Sequence, residues 1–133
     1  MNALVADACV LVEWVAGEPP TAVGERALEA SAACDLIGPP LAWSEPRSAV
    51  LKKHRSAELT TAERDRALAA LDAFPIVYDA EPAREEVLRL AIEHGLSVHD
   101  AFYLEIAVRR GLPLASNDRT LRRAAEAEGI ALV

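Results

Sequence analysis

Five short apolar runs punctuate the chain, at residues 3–6, 36–38, 74–78, 112–115 and 130–133. Each is too short to be the core of a helix, and each suits a buried strand of a parallel sheet. Between them, apolar residues recur at helical spacing. Strands alternating with helices imply an α/β fold, a three-layer α/β/α sandwich around a central parallel sheet of four to five short strands. Crossovers should be right-handed. A site in such a sheet forms beyond the carboxyl ends of the strands, where the strand order reverses.

The helices are bounded by recognisable caps and breakers. Val10, Leu11, Trp14 and Val15 share a helical stripe that Gly17 and Pro19-Pro20 stop. Thr21 caps a second helix carrying Val23, Ala27, Leu28 and Ala30. Pro39-Pro40 leads into a third, through Leu41, Trp43, Ala49, Val50 and Leu51. Pro46 implies that this helix either starts near Ser44 or bends around Glu45. Thr60 or Thr61 opens a fourth, with Ala67, Leu68 and Leu71 inward. Pro82 opens a fifth, with Val87, Leu88, Ala91 and Ile92 on its apolar face and His94-Gly95 at its end. Ser97 caps a sixth, with Asp100 three residues on as in a capping box, and Gly111 stops it. Asn117 or Asp118 caps the last, and Gly129 ends it. There is no repeat, low-complexity run or linker, so residues 1–133 read as one domain.

Apolar residues make up 52% of the chain, enough for a sizeable core and against disorder. Cys9 and Cys34 lack metal-ligand or disulfide-framework spacing and read as small hydrophobes in a reducing compartment. No basic leader or membrane-length apolar span is visible, so no membrane association and a cytoplasmic location are expected. The net charge of −7 argues against a simple electrostatic nucleic-acid binder. Two basic clusters stand out all the same, Arg47 to Arg55 and Arg109 to Arg123. Each reads as a solvated helix face or as a source of phosphate contacts.

Four acids sit where the sheet would place a site. Asp7 follows the first strand and Asp118 the fourth, while Glu45 and Asp100 fall in the first turns of returning helices. Asp is a favoured cap, and each position taken singly is explained by capping. Four acids together with no cation among them are costly unless a cation joins them. Oxygen donors without nitrogen or sulfur partners suit Mg²⁺ or Mn²⁺. Such an ion can activate water and neutralise a phosphate. No P-loop, GxGxxG or nucleophile triad is present.

The chain resembles PIN-domain ribonucleases, and within them the VapC-type toxins of type II toxin–antitoxin systems, over nearly its whole length. The carriers are Ala6-Asp7-Ala8-Cys9-Val10, Ser44-Glu45 with Ala49, Asp100-Ala101-Phe102-Tyr103-Leu104, and Gly111-Leu112-Pro113-Leu114-Ala115-Ser116-Asn117-Asp118 with Leu121. The resemblance implies an Mg²⁺- or Mn²⁺-dependent endoribonuclease that cleaves single-stranded RNA. Asp7 and Asp100 would be direct metal ligands, Glu45 and Asp118 direct or water-mediated ones, and Ser116 a hydroxyl orienting an acid or a water. It also implies a VapB-type antitoxin laying an amphipathic helix in an apolar groove near Leu11, Trp14 and the Val23-to-Leu28 face, and a homodimer formed through the stretch from Leu51 to Leu71. The chain departs from the family pattern at Cys9, where a hydroxyl is frequent, and at Ser48, where asparagine is frequent.

Three other readings compete. His99-Asp100 suggests an HD-type phosphohydrolase, but three histidines and the strand signals oppose that all-helical scaffold. A phosphatase with Asp7 as nucleophile wants a second aspartate where Cys9 stands. A PIN-like interaction module with an idle site would not need four intact acids.

Overall fold

A computed structural model describes residues 2–133. Strand β1 (Ala3–Ala6) lies inside a four-stranded parallel sheet with β2 (Asp35–Gly38), β3 (Ile76–Tyr78) and β4 (Leu114–Ala115), in the order β3-β2-β1-β4. Leu4 pairs with Leu36, Leu36 with Ile76, and Ala6 with Ala115, all in parallel register. The fifth apolar run forms one bridge, Leu132 to Leu114, in place of a full strand. Gly129, at φ 76°, turns the chain so that this run lies along β4.

All four β1 side chains are buried, as a strand covered on both faces requires. Ala3 and Val5 join one core, and Leu4 and Ala6 join the other. The first core is closed by α5 (Arg84–His94), α6 (Val98–Arg110) and α7 (Arg119–Ala127). The second is closed by α1 (Ala8–Val15), α2 (Ala22–Ser31) and α4 (Thr61–Ala73). Helix α3 (Leu41–Arg55) serves both, through Ala42 and Val50. The result is a three-layer sandwich. Truncating a fully buried leucine of either core, Leu4 or Leu104, costs about 2–5 kcal/mol by the usual cavity arithmetic.

Thr21, Ser97 and Asp118 are N-caps, as expected, and Thr60 forms a complete capping box with Glu63. Helix α3 starts at Leu41 and runs through Pro46, so it does not begin near Ser44. Pro46 is buried, and its ring occupies core volume at the cost of one helical hydrogen bond. In α5 the apolar face is rotated from the expected one. Val87 and Leu90 point inward, while Leu88 and Ile92 are exposed, Ile92 by 82%. A second departure is Glu105, which is buried within α6 and paired with Arg109 at 2.6 Å. Arg109 and Arg110 also reach the buried Asp79 that follows β3, at 3.0 and 2.7 Å. Among the described residues, no helix is long and apolar enough to cross a membrane.

Candidate functional site

Strand β1 is flanked by β2 on one side and β4 on the other, so the chain direction switches there. The carboxyl ends of β1 and β4 frame the resulting crevice. Asp7 sits at its centre, where β1 gives way to α1. Its N–H donates to Ala115 O at 3.1 Å, and its Oδ1 accepts from Val10 N–H at 3.1 Å as the α1 cap. Its other oxygen accepts a short hydrogen bond from Ser116 Oγ, 109 residues away in the chain. Ser116 Oγ in turn accepts from Asp118 N–H at 3.0 Å, and the Asp118 carboxylate caps α7 through Leu121 N–H at 2.9 Å. Arg122 braces the same loop, donating to Ser116 O at 2.9 Å.

Capping and site are therefore not alternatives at Asp7 and Asp118. One oxygen of each carboxylate serves the helix. For Asp7 the second oxygen is turned to Ser116, and the whole residue is only 4% exposed. Burial pushes the Asp7 carboxyl up to about 6; the hydrogen bonds of Ser116 and Val10 oppose that rise, and the charges of Asp100 and Asp118 add to it.

Asp100 lies in the first turn of α6, with its N–H on Ser97 Oγ at 3.1 Å. Its carboxyl is also held above the usual range, by burial first and then by Asp118; Ser97 and His99 pull the other way. Glu45 comes from the α3 side. It is tied to α6 by Tyr103, whose hydroxyl donates to Glu45 Oε1 at 2.9 Å. His99 Nδ1 stands 3.6 Å from the other Glu45 oxygen. Burial and the Glu45, Asp7 and Asp100 charges all raise the Tyr103 hydroxyl, which stays protonated and remains a donor.

Asp7, Asp100 and Asp118 thus act on one another's charge, and Glu45 joins them through Tyr103. The sequence reading gave Tyr103 and His99 no role at these acids, naming the first only within a family motif and the second only as half of an HD pair, although Tyr103 lies three residues after Asp100 and four after His99 on the same helix. Cys9 also sits in this field. Burial and the charges of Asp7, Asp100, Glu18 and Asp118 push its thiol up to about 11, so it is no thiolate at neutral pH. Ser48 is exposed on α3.

Asp7 and Asp100 feel the Asp118 charge, Asp7 also feels that of Asp100, and Glu45 is joined to them through Tyr103. Among the described residues, the group whose ligand atoms come within 4.8 Å of one another is a different one, Glu93, His94 and Glu128. That group already surrounds a cation, since Arg89 bonds Glu86, Glu93 and Glu128 at 2.5–2.8 Å. Among the described residues, the edge acids have no such arginine between them. Their donor set is all oxygen, one member is buried, and burial first, then repulsion, raises the Asp7 and Asp100 carboxyls, which fits a hard divalent ion.

The basic clusters are largely committed elsewhere. Arg47 is paired with Asp72, Lys53 with Glu18, and Arg109 and Arg110 with Asp79. Lys52, Arg55, Arg119 and Arg123 remain exposed. Trp14 is half-buried, with its indole N–H on Gly24 O at 2.9 Å and its ring against Phe74 at 5.3 Å. Leu59, Ala67 and Leu71, in the stretch expected to pair two copies, are buried in this chain's own core.

The protein is thus a parallel α/β sandwich with aspartates at the strand-order switch, where sheets of this kind place their sites. The family profile of the PIN domain matches residues 4–127, and the chain belongs to the PIN-domain family. Exonuclease VapC9 of Pyrobaculum aerophilum is 37% identical over 78 residues, which are 58% of this chain and 57% of that protein's length. The crystal structure of PAE2754 from Pyrobaculum aerophilum superposes with a TM-score of 0.70 at 27% identity, covering 98% of this chain and 92% of the other. FitAcB from Neisseria gonorrhoeae has a TM-score of 0.61 at 17% identity, covering 97% and 95%. A toxin–antitoxin complex from Klebsiella pneumoniae gives 0.56 at 22% identity, covering 84% and 82%. The last two likenesses concern the fold alone.

Proposed function

We propose that the protein is a divalent-metal-dependent ribonuclease that cuts single-stranded RNA, and that it is the toxin of a toxin–antitoxin pair. The observation that carries the reading is Asp7, a buried carboxyl pushed up to about 6 beside two further acids, in a crevice that contains no resident cation. The resemblance to an exonuclease named VapC9 supports nuclease chemistry, and the family motifs support the choice of residues. Asp7 and Asp100 would hold the Mg²⁺ or Mn²⁺ ion, with Glu45 and Asp118 completing the shell directly or through water. When bound, the ion supplies an activated water and charge neutralisation at the scissile phosphate.

The chain's own residues do the positioning. Ser116 holds the Asp7 carboxylate in one orientation, through the oxygen that does not cap α1, and aligns the Asp118 backbone. Tyr103 holds Glu45 toward α6 and, by staying protonated, adds no further negative charge. His99 sits at the rim of the crevice beside Glu45, where a phosphate would enter.

The partner would be a VapB-type antitoxin covering this edge. Of the face expected to receive it, Leu11, Val23 and Ala27 are buried in this chain's own core, which leaves the exposed Leu28 and the half-buried Trp14 for a partner. Any homodimer would use the stretch from Leu51 to Leu71, which is mostly exposed apart from Leu59, Ala67 and Leu71, or the exposed Leu88 and Ile92 of α5. Light scattering of the isolated chain, with Ile92→Glu as the control, tests that pairing.

The test of the activity is a melting curve with and without Mg²⁺ or Mn²⁺, run beside cleavage of a single-stranded RNA, for the parent, Asp7→Asn and Asp100→Asn. Both variants should lose metal stabilisation and cleavage while folding normally. Retention of both responses in both variants overturns the proposal.

A further inference from the structure

An acidic chain that handles RNA needs affinity from something other than bulk charge. At a net charge of −7, with Arg47 and Lys53 of α3 already paired to acids, the free cations leave a net negative surface, and stacking of bases on exposed aromatic rings is a second general source. Helix α3 presents one such ring two residues before Glu45. Trp43 is 55% exposed, although indoles are usually well covered.

The ring is held in place from below. The Arg47 guanidinium lies over one face of Trp43, 4.4 Å from the ring centroid. That guanidinium is itself fixed, donating to Trp43 O at 2.8 Å and to Asp72 at 2.6 Å, and its side chain is only 12% exposed. One face of the indole therefore rests on an ordered cation and the rest is open to solvent. A ring fixed in this way loses little conformational freedom when a planar group lands on it.

Trp43 and Glu45 leave the first turns of α3 on different sides, with their Cα atoms about 5 Å apart by helix geometry. A strand whose phosphate lies at the acids thus passes over the helix before reaching the ring. From this we infer that Trp43, stacked on Arg47, is a base-stacking platform for a nucleotide flanking the scissile phosphate of a single-stranded RNA. The inference rests on the ribonuclease reading for its substrate, but its readout does not.

The chain has two tryptophans, and Trp14 is shielded by Gly24 and Phe74, so intrinsic fluorescence reports mainly on Trp43. The experiment titrates the parent, Trp43→Phe and Trp43→Leu with a mixed-sequence single-stranded oligoribonucleotide and with an abasic ribose-phosphate backbone of equal length. Mg²⁺ is present, and RNA integrity is followed on a gel. The melting temperature of each variant confirms folding, since an exposed ring is dispensable to the core. The base-bearing strand should quench the parent and the abasic one should not. Trp43→Leu should weaken RNA binding by about 5- to 140-fold, the range that stacking on one base supplies. It should raise KM by a similar factor while leaving kcat at saturation nearly unchanged, the signature of a contact made equally in ground and transition states. Trp43→Phe should fall between the two. Equal binding by Trp43→Leu and parent, equal quenching by the abasic strand, or parent emission that ignores RNA overturns the platform. Cleavage that persists without any Trp43 effect removes the platform and leaves the ribonuclease reading. Base-dependent quenching without cleavage does the reverse.

Discussion

At the scale of single residues, Asp7 carries the most consequence. Its folded pKa of about 6 lies above the ordinary value of 3.8, so the folded state takes up a proton before the unfolded chain does. For the metal-free protein, stability should fall as pH rises from about 4 through about 6, by at most about 3 kcal/mol from this group. Asp7→Asn keeps the cap, removes the charge, and should flatten that slope in melting curves taken from pH 4 to 7.5. With metal present the sign reverses, because protons compete with the ion below pH 6 and metal stabilisation should fade there. Ser116→Ala leaves one Asp7 oxygen and the Asp118 N–H short of a partner inside a buried site. It should cost about 1–3 kcal/mol and lower cleavage without abolishing it, as urea melts and initial rates would report. Asp7, Asp100 and Asp118 were legible in place because each ends a strand or opens a helix, whereas Glu45, expected in a first turn, lies past the first turn of α3 because that helix starts earlier, at Leu41. Tyr103 was not, because its role depends on a partner 58 residues away, across two helices.

At the scale of elements, the sequence was most informative where local chemistry decides the outcome. Caps at Thr21, Thr60, Ser97 and Asp118 and stops at Gly95 and Gly111 rest on backbone hydrogen bonds and left-handed turns that few residue types supply. It was least informative where packing overrides local preference. Leu88 and Ile92 share a stripe as plausible as the buried Val87 and Leu90, and only the neighbouring helices choose between them. Pro46 is tolerated inside α3 because its ring is buried there. Close packing also fixes Gly24, where a side chain would collide with the Glu13 carboxylate. Glu13 accepts from Thr21 Oγ at 2.6 Å, and the same hydroxyl accepts from Asn117 beside Asp118. Gly24→Ala gains helix propensity but displaces Glu13, so a net loss of about 1–3 kcal/mol is expected in chemical denaturation.

For the whole molecule, two features set the behaviour. The Asp79, Glu105, Arg109 and Arg110 network fastens the loop after β3 to α6. Arg109→Ala leaves Glu105 buried without its cation and should destabilise the protein by about 3–5 kcal/mol, more than any exposed ion pair would. The parallel sandwich was readable from the alternation of apolar runs, whereas this network was not, since the arginines read equally well as free surface charge. The net charge of −7 is the second feature. The exposed Lys52, Arg55, Arg119 and Arg123 are the cations of the two clusters left for phosphates, so the salt dependence of RNA binding should be set by those few contacts. Neutralising Lys52 or Arg55 should lower the slope of log K against log salt by about 0.7 or less each in single-strand titrations.

The bond between Asp7 and Ser116 spans 109 residues, and β1 finds β4 only after every other strand has been made. During synthesis the first aspartate therefore waits, without its serine and its neighbouring strand, until residue 116 has left the ribosome. A nascent chain stalled or cut before residue 112 holds three of the four acids but no crevice to hold them in. If the protein cuts RNA, a ribosome that has not yet delivered β4 is exposed only to an unassembled precursor.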